Sequence, residues 1–402
     1  MKKRFTRTLA LILALATVLS TVIFANALSG GYADWSFDEE SGHLTVYSNV
    51  PYNDRFQDSE FFRMRNVIKS VSFVDGVTAI EKNAFRNCFN IESVELPRTL
   101  EFIGPWAFAS CSKLKNIVIP EKVTKIGYDL FYNCKELTSV TLPNRITCIE
   151  SRAFAFCENL TDISIPKSVT VIKKGAFEYC SSLTSIIIGS GVTSIGDGAF
   201  RECSSLASVT IPDSVTEIGY WAFSDCGSLI SVAIPDSVTE IGRSAFSDCS
   251  SLISVAIPNS VTKIGYEAFH YCSSLASVTI PDGVTEIEDR VFNNCRRLES
   301  VTIGNSVTAI GSSAFSFCRS LKSIIIPDCV TKIGDSAFYY CDNLTSVYCQ
   351  STTPPVLGNL EVFSKNESGR KIYVPAVSVD TYKNTAIWNN YANSIFADPT
   401  EN

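Results

Sequence analysis

Cysteine is the residue type with the widest chemistry in this sequence, because a thiol can form a disulfide, bind a metal or act as a nucleophile. The 402 residues include fifteen cysteines, and twelve of them recur every 23 residues from Cys88 to Cys341. A constant period predicts that these thiols are buried in equivalent positions as small apolar side chains. We therefore expect them to be free, with pairwise bridging as the alternative. A bridge between Cys329 and Cys349, which lie outside the series, stays open.

Metal binding and catalysis lack the residues that they require. The chain has two histidines, His43 and His270, and neither belongs to a recognisable catalytic or metal-binding motif. Serines such as Ser208 and Ser231 recur at one position without a base in the same pattern. Aspartates such as Asp213 follow prolines, but other repeats carry Asn, Lys or Ser there, which indicates turns rather than calcium ligands. We predict a protein that is not an enzyme and has no cofactor and no metal site.

One cluster of variable positions has the composition of a binding surface. It contributes Tyr220, Trp221, Arg243, Tyr266, His270 and Tyr271. These positions flank an Ala-Phe pair that recurs in each repeat, and we expect their side chains to face solvent. Tyr220 and Tyr266 stand two repeats apart with Arg243 between them, a spacing that suits a cation–π contact. Because Trp, Tyr and Arg dominate interface energies, we predict ligand binding here.

The repeat contains two other groups of outward-facing residues. Further aromatic residues extend the same columns more sparsely: Tyr132, Tyr179, Tyr339 and Tyr340. The alternative binding surface is a strip of small outward-facing residues such as Ser231 and Ala233, bordered by Ile230 and Ile253. A smooth strip of this kind can receive an extended peptide, although close stacking also favours small residues.

These residues belong to an internal repeat. Twelve consecutive blocks of 23 residues fit from Val77 to Gln350 without insertion or deletion. Each block has a phenylalanine and a cysteine at fixed positions, including Phe200, Phe223, Phe246, Phe269, Cys203, Cys226, Cys249 and Cys272. A repeat of this length predicts stacked turns of backbone, in which each turn buries its apolar face against its neighbours. We expect the phenylalanines and cysteines to form structural ladders, with neighbouring rings within stacking distance.

Each block predicts one coil of such a stack. Leu229 to Ile234 alternates as a strand, with Val232 and Ile234 pointing inwards. Pro235 begins a turn, a second short extended piece follows, and Ala245, Phe246 and Cys249 then have helical spacing. The prediction is an α/β repeat solenoid, a right-handed superhelix of about 12 coils of 23 residues with a cap at each end.

The pattern Val-Thr-x-Ile-Gly-x-x-Ala-Phe-x-x-Cys-x-x-Leu-x-x-Val-x-Ile-Pro is nearly intact from Val192 to Gly283. It resembles the BspA-like leucine-rich-repeat proteins of bacterial surfaces and some protozoa. The resemblance extends to the ends, where Leu44-Thr-Val46 and Ile372-Tyr-Val-Pro375 are similar to the family's N-terminal cap and C-terminal module. It implies a leucine-rich-repeat solenoid that acts in adhesion by binding host matrix proteins or neighbouring cells.

The sequence predicts four segments: a signal peptide at 1–27, an N-terminal cap with a partial repeat at 28–76, the twelve repeats at 77–350, and a C-terminal cap module at 351–402. Basic residues, an apolar run and Ala25-Asn-Ala27 give the first segment the pattern of a cleaved secretory signal. The second contains a β-hairpin pattern around Glu39 to Gly42. The last has a predicted strand at Lys371 to Pro375 and a predicted helical segment from Val377 to Ile395.

Charge and targeting together define the expected role. Cleavage after Ala27 removes four basic residues, so the net charge of −7 becomes −7 − 4 = −11. An acidic surface repels nucleic acid and anionic membranes. We therefore expect a secreted or surface-associated protein that binds extracellular proteins or glycoproteins. The family resemblance implies that host matrix proteins are among its ligands. The alternative is a structural surface or matrix component that associates with itself.

Overall fold

The computed structural model describes residues 34–50, 61 and 64–400, together with the backbone of Val22–Ala25. The rest of the predicted signal peptide lies outside the described residues. The contacts divide the chain into two compact units, Met1–Leu160 and Thr161–Asn402. Both units consist of short parallel strands that recur from coil to coil, so the predicted repeat solenoid is confirmed.

In the first unit, a β-hairpin leads into the stack. Trp35–Asp38 pairs antiparallel with His43–Val46 and also with Val22–Ala25, and His43–Val46 then pairs parallel with Ser70–Phe73. The longer strands of the following coils are Ser93–Glu95, Asn116–Val118 and Ser139–Thr141. The two-residue strands are Ala79–Ile80, Phe102–Ile103 and Cys148–Ile149.

In the second unit, each coil up to Val356–Leu357 again contributes one longer and one two-residue strand, and within the described residues the last two longer strands have no two-residue strand after them. The longer strands are Asp162–Ser164, Ser185–Ile187, Ser208–Thr210, Ser231–Ala233, Ser254–Ala256, Ser277–Thr279, Ser300–Thr302, Ser323–Ile326, Ser346–Cys349, Lys371–Val374 and Ile395–Ala397. The two-residue strands are Val171–Ile172, Ser194–Ile195, Glu217–Ile218, Glu240–Ile241, Lys263–Ile264, Glu286–Ile287, Ala309–Ile310, Lys332–Ile333 and Val356–Leu357. Identical positions pair in register, for example Ser231 with Ser254 and Val232 with Val255.

The part of each coil that was expected to be helical consists of turns instead. Alternate amides bond three residues back, as when Ala222 N–H donates to Gly219 O and Ser224 N–H donates to Trp221 O. The amides between them, such as Phe223 N–H, donate to the next coil. Two residues of this segment, Trp221 and Asp225, have left-handed φ angles of 54° and 61°. In an α-helix, successive amides donate to carbonyls of the same helix and the backbone is right-handed throughout. The helical prediction was therefore wrong here.

The solenoid also continues into the predicted caps. The residues that the structure describes form about 15 turns of about 23 residues, rather than 12. At the C-terminal end, Phe363 stacks on Phe338 with ring centroids 5.5 Å apart, although these residues are 25 positions apart. The predicted helical segment there contains a short α-helix, Val379–Asn384, between the 3-10 helices Ala376–Ser378 and Trp388–Ser394. Buried Tyr382 and Trp388 pack edge to face at its centre.

The core of each unit contains the two predicted ladders. In the second unit, ring centroids of successive phenylalanines lie 5.2 to 5.6 Å apart from Phe177 to Phe338. Phe223 and Phe246 are fully buried, as are Cys226 and Cys249 beside them. Val232 and Ile234 are buried and Ser231 and Ala233 are exposed, as the period of two predicts.

Candidate functional site

The candidate site lies on the turn edge of the second unit. We define the turn edge as the surface formed by the residues on both sides of the Ala-Phe pair in each coil. Two backbone positions per coil are left-handed there: the residue before Ala-Phe and the residue before the cysteine. Left-handed backbone costs an L-residue about 1–2 kcal/mol, least for Gly, Asn and Asp. Nevertheless Trp221, Tyr271, Phe317 and Tyr340 occupy such positions.

Three of the predicted residues form one stack across three coils. The guanidinium carbon of Arg243 lies 4.6 Å from the ring centroid of Tyr266 and 5.7 Å from that of Trp221. Both distances suit cation–π attraction. The sequence predicted that Tyr220 and Tyr266 flank Arg243. In the structure, Tyr266 does so, and Trp221 lies where Tyr220 was expected. Tyr220 instead packs edge-on against Trp221, with centroids 6.3 Å apart and planes at 90°.

A charged depression opens beside this stack. It has a volume of about 260 Å³ and lies between Tyr220, Arg243 and Tyr266. Its other walls include Glu288 and a cross-coil ion pair in which Lys263 Nζ lies 2.7 Å from a Glu240 carboxylate oxygen. The Tyr266 amide donates to Glu288 at 2.8 Å. The arrangement is a shallow surface of mixed charge with aromatic rings, which suits contact with a protein partner rather than enclosure of a small molecule.

Arg290 belongs to the same surface, although the sequence did not single it out. Its guanidinium donates to the Tyr266 hydroxyl at 3.1 Å and forms an ion pair with Glu267 at 3.2 Å. Burial, with a hydrogen bond involving Glu267, raises the pKa of the Tyr266 phenol. Arg290 occupies the backbone slot that Trp221 occupies three coils earlier, so a reading of that column over all repeats could have found it.

The remaining two predicted residues form a separate pair. The rings of His270 and Tyr271 meet edge to face with centroids 4.4 Å apart. Burial lowers the pKa of His270, so its ring is neutral at neutral pH. Both residues line a second depression, and Arg290 is part of its wall. All six predicted residues therefore lie on the turn edge, but they form two neighbouring groups.

The first unit has a comparable cluster, of which only Tyr132 was identified from the sequence. The guanidinium carbon of Arg86 lies 4.2 Å from the ring centroid of Trp106, and that of Arg152 lies 5.6 Å from the ring of Tyr132. Arg152 also forms an ion pair at 3.0 Å with the buried carboxylate of Asp129. Burial raises the pKa of Asp129, and the positive charge of Arg152 opposes that rise. Cation–aromatic stacks are therefore a feature of the turn residues in each unit.

The cysteine ladder has a structural arrangement. Cys329 and Cys349, for which a bridge was left open, are not joined to each other, and the ladder cysteines Cys203, Cys226, Cys249 and Cys272 carry free thiols. The Cys226 thiol donates to the Phe200 carbonyl in the preceding coil at 3.2 Å, and the same contact recurs along the ladder. Burial raises the thiol pKa, to about 12 at Cys134. A protonated, inaccessible thiol is neither a nucleophile nor a metal ligand.

The histidine outside the turn edge contacts two serines. His43 Nδ1 lies 2.7 Å from Ser70 Oγ, and Nε2 lies 2.9 Å from Ser72 Oγ. Catalytic serines need a histidine whose second nitrogen is held by a carboxylate. Since both nitrogens of His43 face serines, this arrangement joins two strands rather than activating a nucleophile. Over the residues that the structure describes, no three His, Cys, Asp or Glu side chains are grouped to hold a metal ion.

The strand face is the second exposed surface of the second unit. Ile230 and Ile253 on its border are 51% and 54% exposed, and Ser231 and Ala233 lie beside them. Within these two coils the strip carries aliphatic and small side chains, and it lacks the Trp, Tyr and Arg anchors of the turn edge that dominate interface energies. Farther along the same face, Tyr348 stacks on Tyr373 with ring centroids 4.9 Å apart.

The repeat pattern and its geometry identify the family. A model of the BspA-type leucine-rich-repeat region matches residues 56–184, 171–296 and 262–393 in six copies. The chain belongs to the BspA-type leucine-rich-repeat family. No curated protein sequence matches it.

Solved structures with this architecture come from several bacteria. A leucine-rich-repeat protein from Bacteroides ovatus is 26% identical, has a TM-score of 0.65, and is matched over 93% of this chain and 100% of that chain. A leucine-rich-repeat protein from Eubacterium ventriosum is 24% identical, has a TM-score of 0.51, and is matched over 78% and 93%. The pneumococcal vaccine antigen PcpA is 19% identical, has a TM-score of 0.50, and is matched over 94% and 99%. Among the residues described for this BspA-type chain, no helix is long and apolar enough to cross a membrane.

Proposed function

We propose that this BspA-type protein is a secreted binding protein that recognises extracellular proteins or glycoproteins through the turn edge of its second unit. The observation that carries the proposal is the stack of Trp221, Arg243 and Tyr266. Trp221 is 39% exposed and the neighbouring Tyr220 is 47% exposed, so these rings do not serve the core. Exposed Trp, Tyr and Arg in contact with one another form a pre-organised anchor for a partner.

Secretion is part of the proposal. Residues 1–27 have the basic, apolar and small-residue order of a signal peptide, with cleavage after Ala27. PcpA, whose fold this chain shares, is a pneumococcal vaccine antigen, a role that agrees with exposure outside the cell. We therefore place the mature chain outside the cell or at its surface, with adhesion to a host matrix as its specific role.

The experiment uses the mature chain on immobilised fibronectin, laminin and collagen. We expect the double substitution of Trp221 and Tyr266 by Ala to lower capture at least tenfold, because two neighbouring anchor rings are removed. The matched control is Ile253→Ser, which changes a residue on the strand face that is 54% exposed, more than Trp221. Undiminished capture by a folded double variant, or an equal loss in the control, would place the binding surface elsewhere.

A structural role through self-association is the second candidate, and one observation favours it. The backbone of Val22–Ala25 pairs with Trp35–Asp38, and these four residues belong to the predicted signal peptide. Cleavage would leave one edge of Trp35–Asp38 without this strand, and an open edge can pair with another chain. Light scattering separates the candidates: polymers that grow with concentration favour a structural component, and a monomer at all concentrations favours the binding protein.

A further inference from the structure

The second depression on the turn edge differs in chemistry from the first. It has a volume of about 440 Å³, within the range in which proteins hold small ligands. Rings of Tyr271, Phe317 and Tyr339 line it together with the side chains of Asn293 and Asn294. It therefore combines apolar ring surfaces with fixed polar groups.

The aromatic residues here occupy costly backbone positions. Tyr271 and Phe317 have φ angles of 57° and 61° in the slot before the cysteine. The same slot holds Asp225, Asp248 and Asn294 in other coils, and these residue types tolerate left-handed backbone. Tyr271 is 40% exposed, so it does not recover the cost by burial in the core. The exposed ring of Tyr271 at a costly backbone position therefore points to a contact made outside the chain. Phe317 is half-buried and also stacks on Tyr340 with ring centroids 5.1 Å apart.

The polar groups are held in place before any ligand arrives. Asn293 and Asn294 are more than nine-tenths buried, and Asn294 Nδ2 donates to Asn293 Oδ1 at 2.7 Å. Asn293 Nδ2 donates in turn to the Ser313 carbonyl at 3.3 Å. A side-chain amide has two donor hydrogens and a carbonyl oxygen with two lone pairs, so each amide retains capacity for further hydrogen bonds.

The depression presents no uncompensated charge from its two basic residues. Arg290 is paired with Glu267 at 3.2 Å, and burial lowers the pKa of His270 so that its ring is neutral at neutral pH. A free anion or cation therefore gains little here. An extended peptide also finds few backbone partners, because the amides of Tyr271 and Phe317 already donate to the next coil.

We propose that this depression binds a neutral oligosaccharide. A sugar ring has apolar C–H faces that cover aromatic rings, and a rim of hydroxyl groups that exchange hydrogen bonds with amides. It is uncharged, and its binding does not require free backbone amides and carbonyls at the edge of a strand. The inference rests on the proposed function, and it specifies that the extracellular partner is recognised in part through its glycans.

The test measures binding of the full mature chain to an array of neutral oligosaccharides ending in mannose, galactose or N-acetylglucosamine, with sialylated and sulfated counterparts. We expect binding to neutral members, and at least tenfold weaker binding for Tyr271→Asn and for Phe317→Asn. Asn suits the left-handed backbone, so both variants are expected to fold. The matched control is Tyr179→Asn, which makes the same change in the same slot at φ 61°, outside the depression.

Several outcomes would overturn the inference. They are no binding to the array, preference for the sialylated or sulfated members, or equal loss in the Tyr179→Asn control. A further arm compares immobilised laminin before and after enzymatic removal of its glycans. Capture that needs the glycans supports the inference. Capture that is unchanged by their removal contradicts it while leaving the proposed binding function intact, whereas loss of all capture in every arm contradicts both.

Discussion

Phe223 and Phe246, which lie one coil apart, stack with ring centroids 5.4 Å apart and planes inclined by 4°. Both rings are fully buried, and each has a further phenylalanine on its other side. A solenoid has no single centre, so its stability is the sum of such contacts between neighbouring coils.

Phe223→Ala should therefore be severely destabilising. Removing the ring leaves a cavity between two fixed neighbours, and the expected loss in the free energy of unfolding is about 3–5 kcal/mol. Chemical denaturation monitored by circular dichroism measures it. Ser231→Ala on the exposed strand face is the control and should change stability by less than about 0.5 kcal/mol. A loss below about 1 kcal/mol for Phe223→Ala would mean that the ladder is not a principal source of stability.

Alkaline pH should destabilise the fold through the cysteine ladder. Burial raises the pKa of the Cys226 thiol well above its ordinary value of 9.0, so the folded state keeps a proton that the unfolded state loses. The stabilising contribution is complete below pH 9 and is lost progressively as the pH rises towards the folded pKa. Each such thiol adds a slope of up to about 1.4 kcal/mol per pH unit.

Cys226→Ala isolates the contribution of one thiol to this pH dependence of stability. Unfolding free energies measured from pH 8 to pH 10 should fall less steeply in the variant, by up to about 1.4 kcal/mol per pH unit. At pH 7 the variant should lose about 1 kcal/mol with the hydrogen bond to Phe200. Identical slopes in variant and parent would show that the Cys226 thiol ionises equally well when folded.

Glycines at the coil corner should be intolerant of a side chain. A Cβ atom on Gly242 would lie 2.7 Å from the carbonyl carbon and oxygen of Gly219 in the preceding coil. We expect Gly242→Ala to lower stability by about 1–3 kcal/mol, since backbone must move to admit the methyl group. Gly227→Ala is the matched control, because its Cβ would approach only Ser250 Oγ at 3.7 Å. Equal melting temperatures for the two variants would contradict this account.

Trp221→Gly should separate binding from stability. Glycine relieves a left-handed backbone strain of about 1–2 kcal/mol, and the lost contact with Arg243 removes about 0.5–1 kcal/mol. The free energy of unfolding should therefore stay within about 1 kcal/mol of the parent, while capture of the matrix proteins falls. Ser244→Gly changes the equivalent slot one coil later, where the side chain is buried, and should leave capture unchanged. A large loss of stability in Trp221→Gly would indicate a structural rather than a binding role.

The turn segment shows which features of a fold the spacing of apolar residues predicts. Ala245, Phe246 and Cys249 have helical spacing, yet the segment consists of turns whose alternate amides bond to the next coil. The spacing of apolar residues reports which side chains are buried, and a series of turns buries the same positions as one helical turn. Left-handed residues, such as Ser244 and Asp248, distinguish the series of turns from a helix. The position before Ala-Phe, which Ser244 occupies, has no consistent residue type from coil to coil.

The binding surface could be predicted only in part for a related reason. Trp221, Arg243 and Tyr266 were identified because they stand at variable positions beside constant ones. Their mutual contacts were not, and it is Trp221 rather than Tyr220 that contacts Arg243 in the next coil. Arg290 stands in the column of Trp221, but its contacts with Tyr266 and Glu267 cross between coils, and no single repeat displays them.

By itself, the sequence determined that this protein is a stack of like coils with phenylalanine and cysteine ladders inside. An apolar residue that recurs at the same position of every coil can be buried in all coils at once only if neighbouring coils stack in register. The tertiary structure alone decided that the solenoid extends past the exact period, to Phe61 and Phe363, because stacking requires only that a ring reach its neighbour. It also decided which exposed side chains meet, because that depends on backbone angles and on distances between coils.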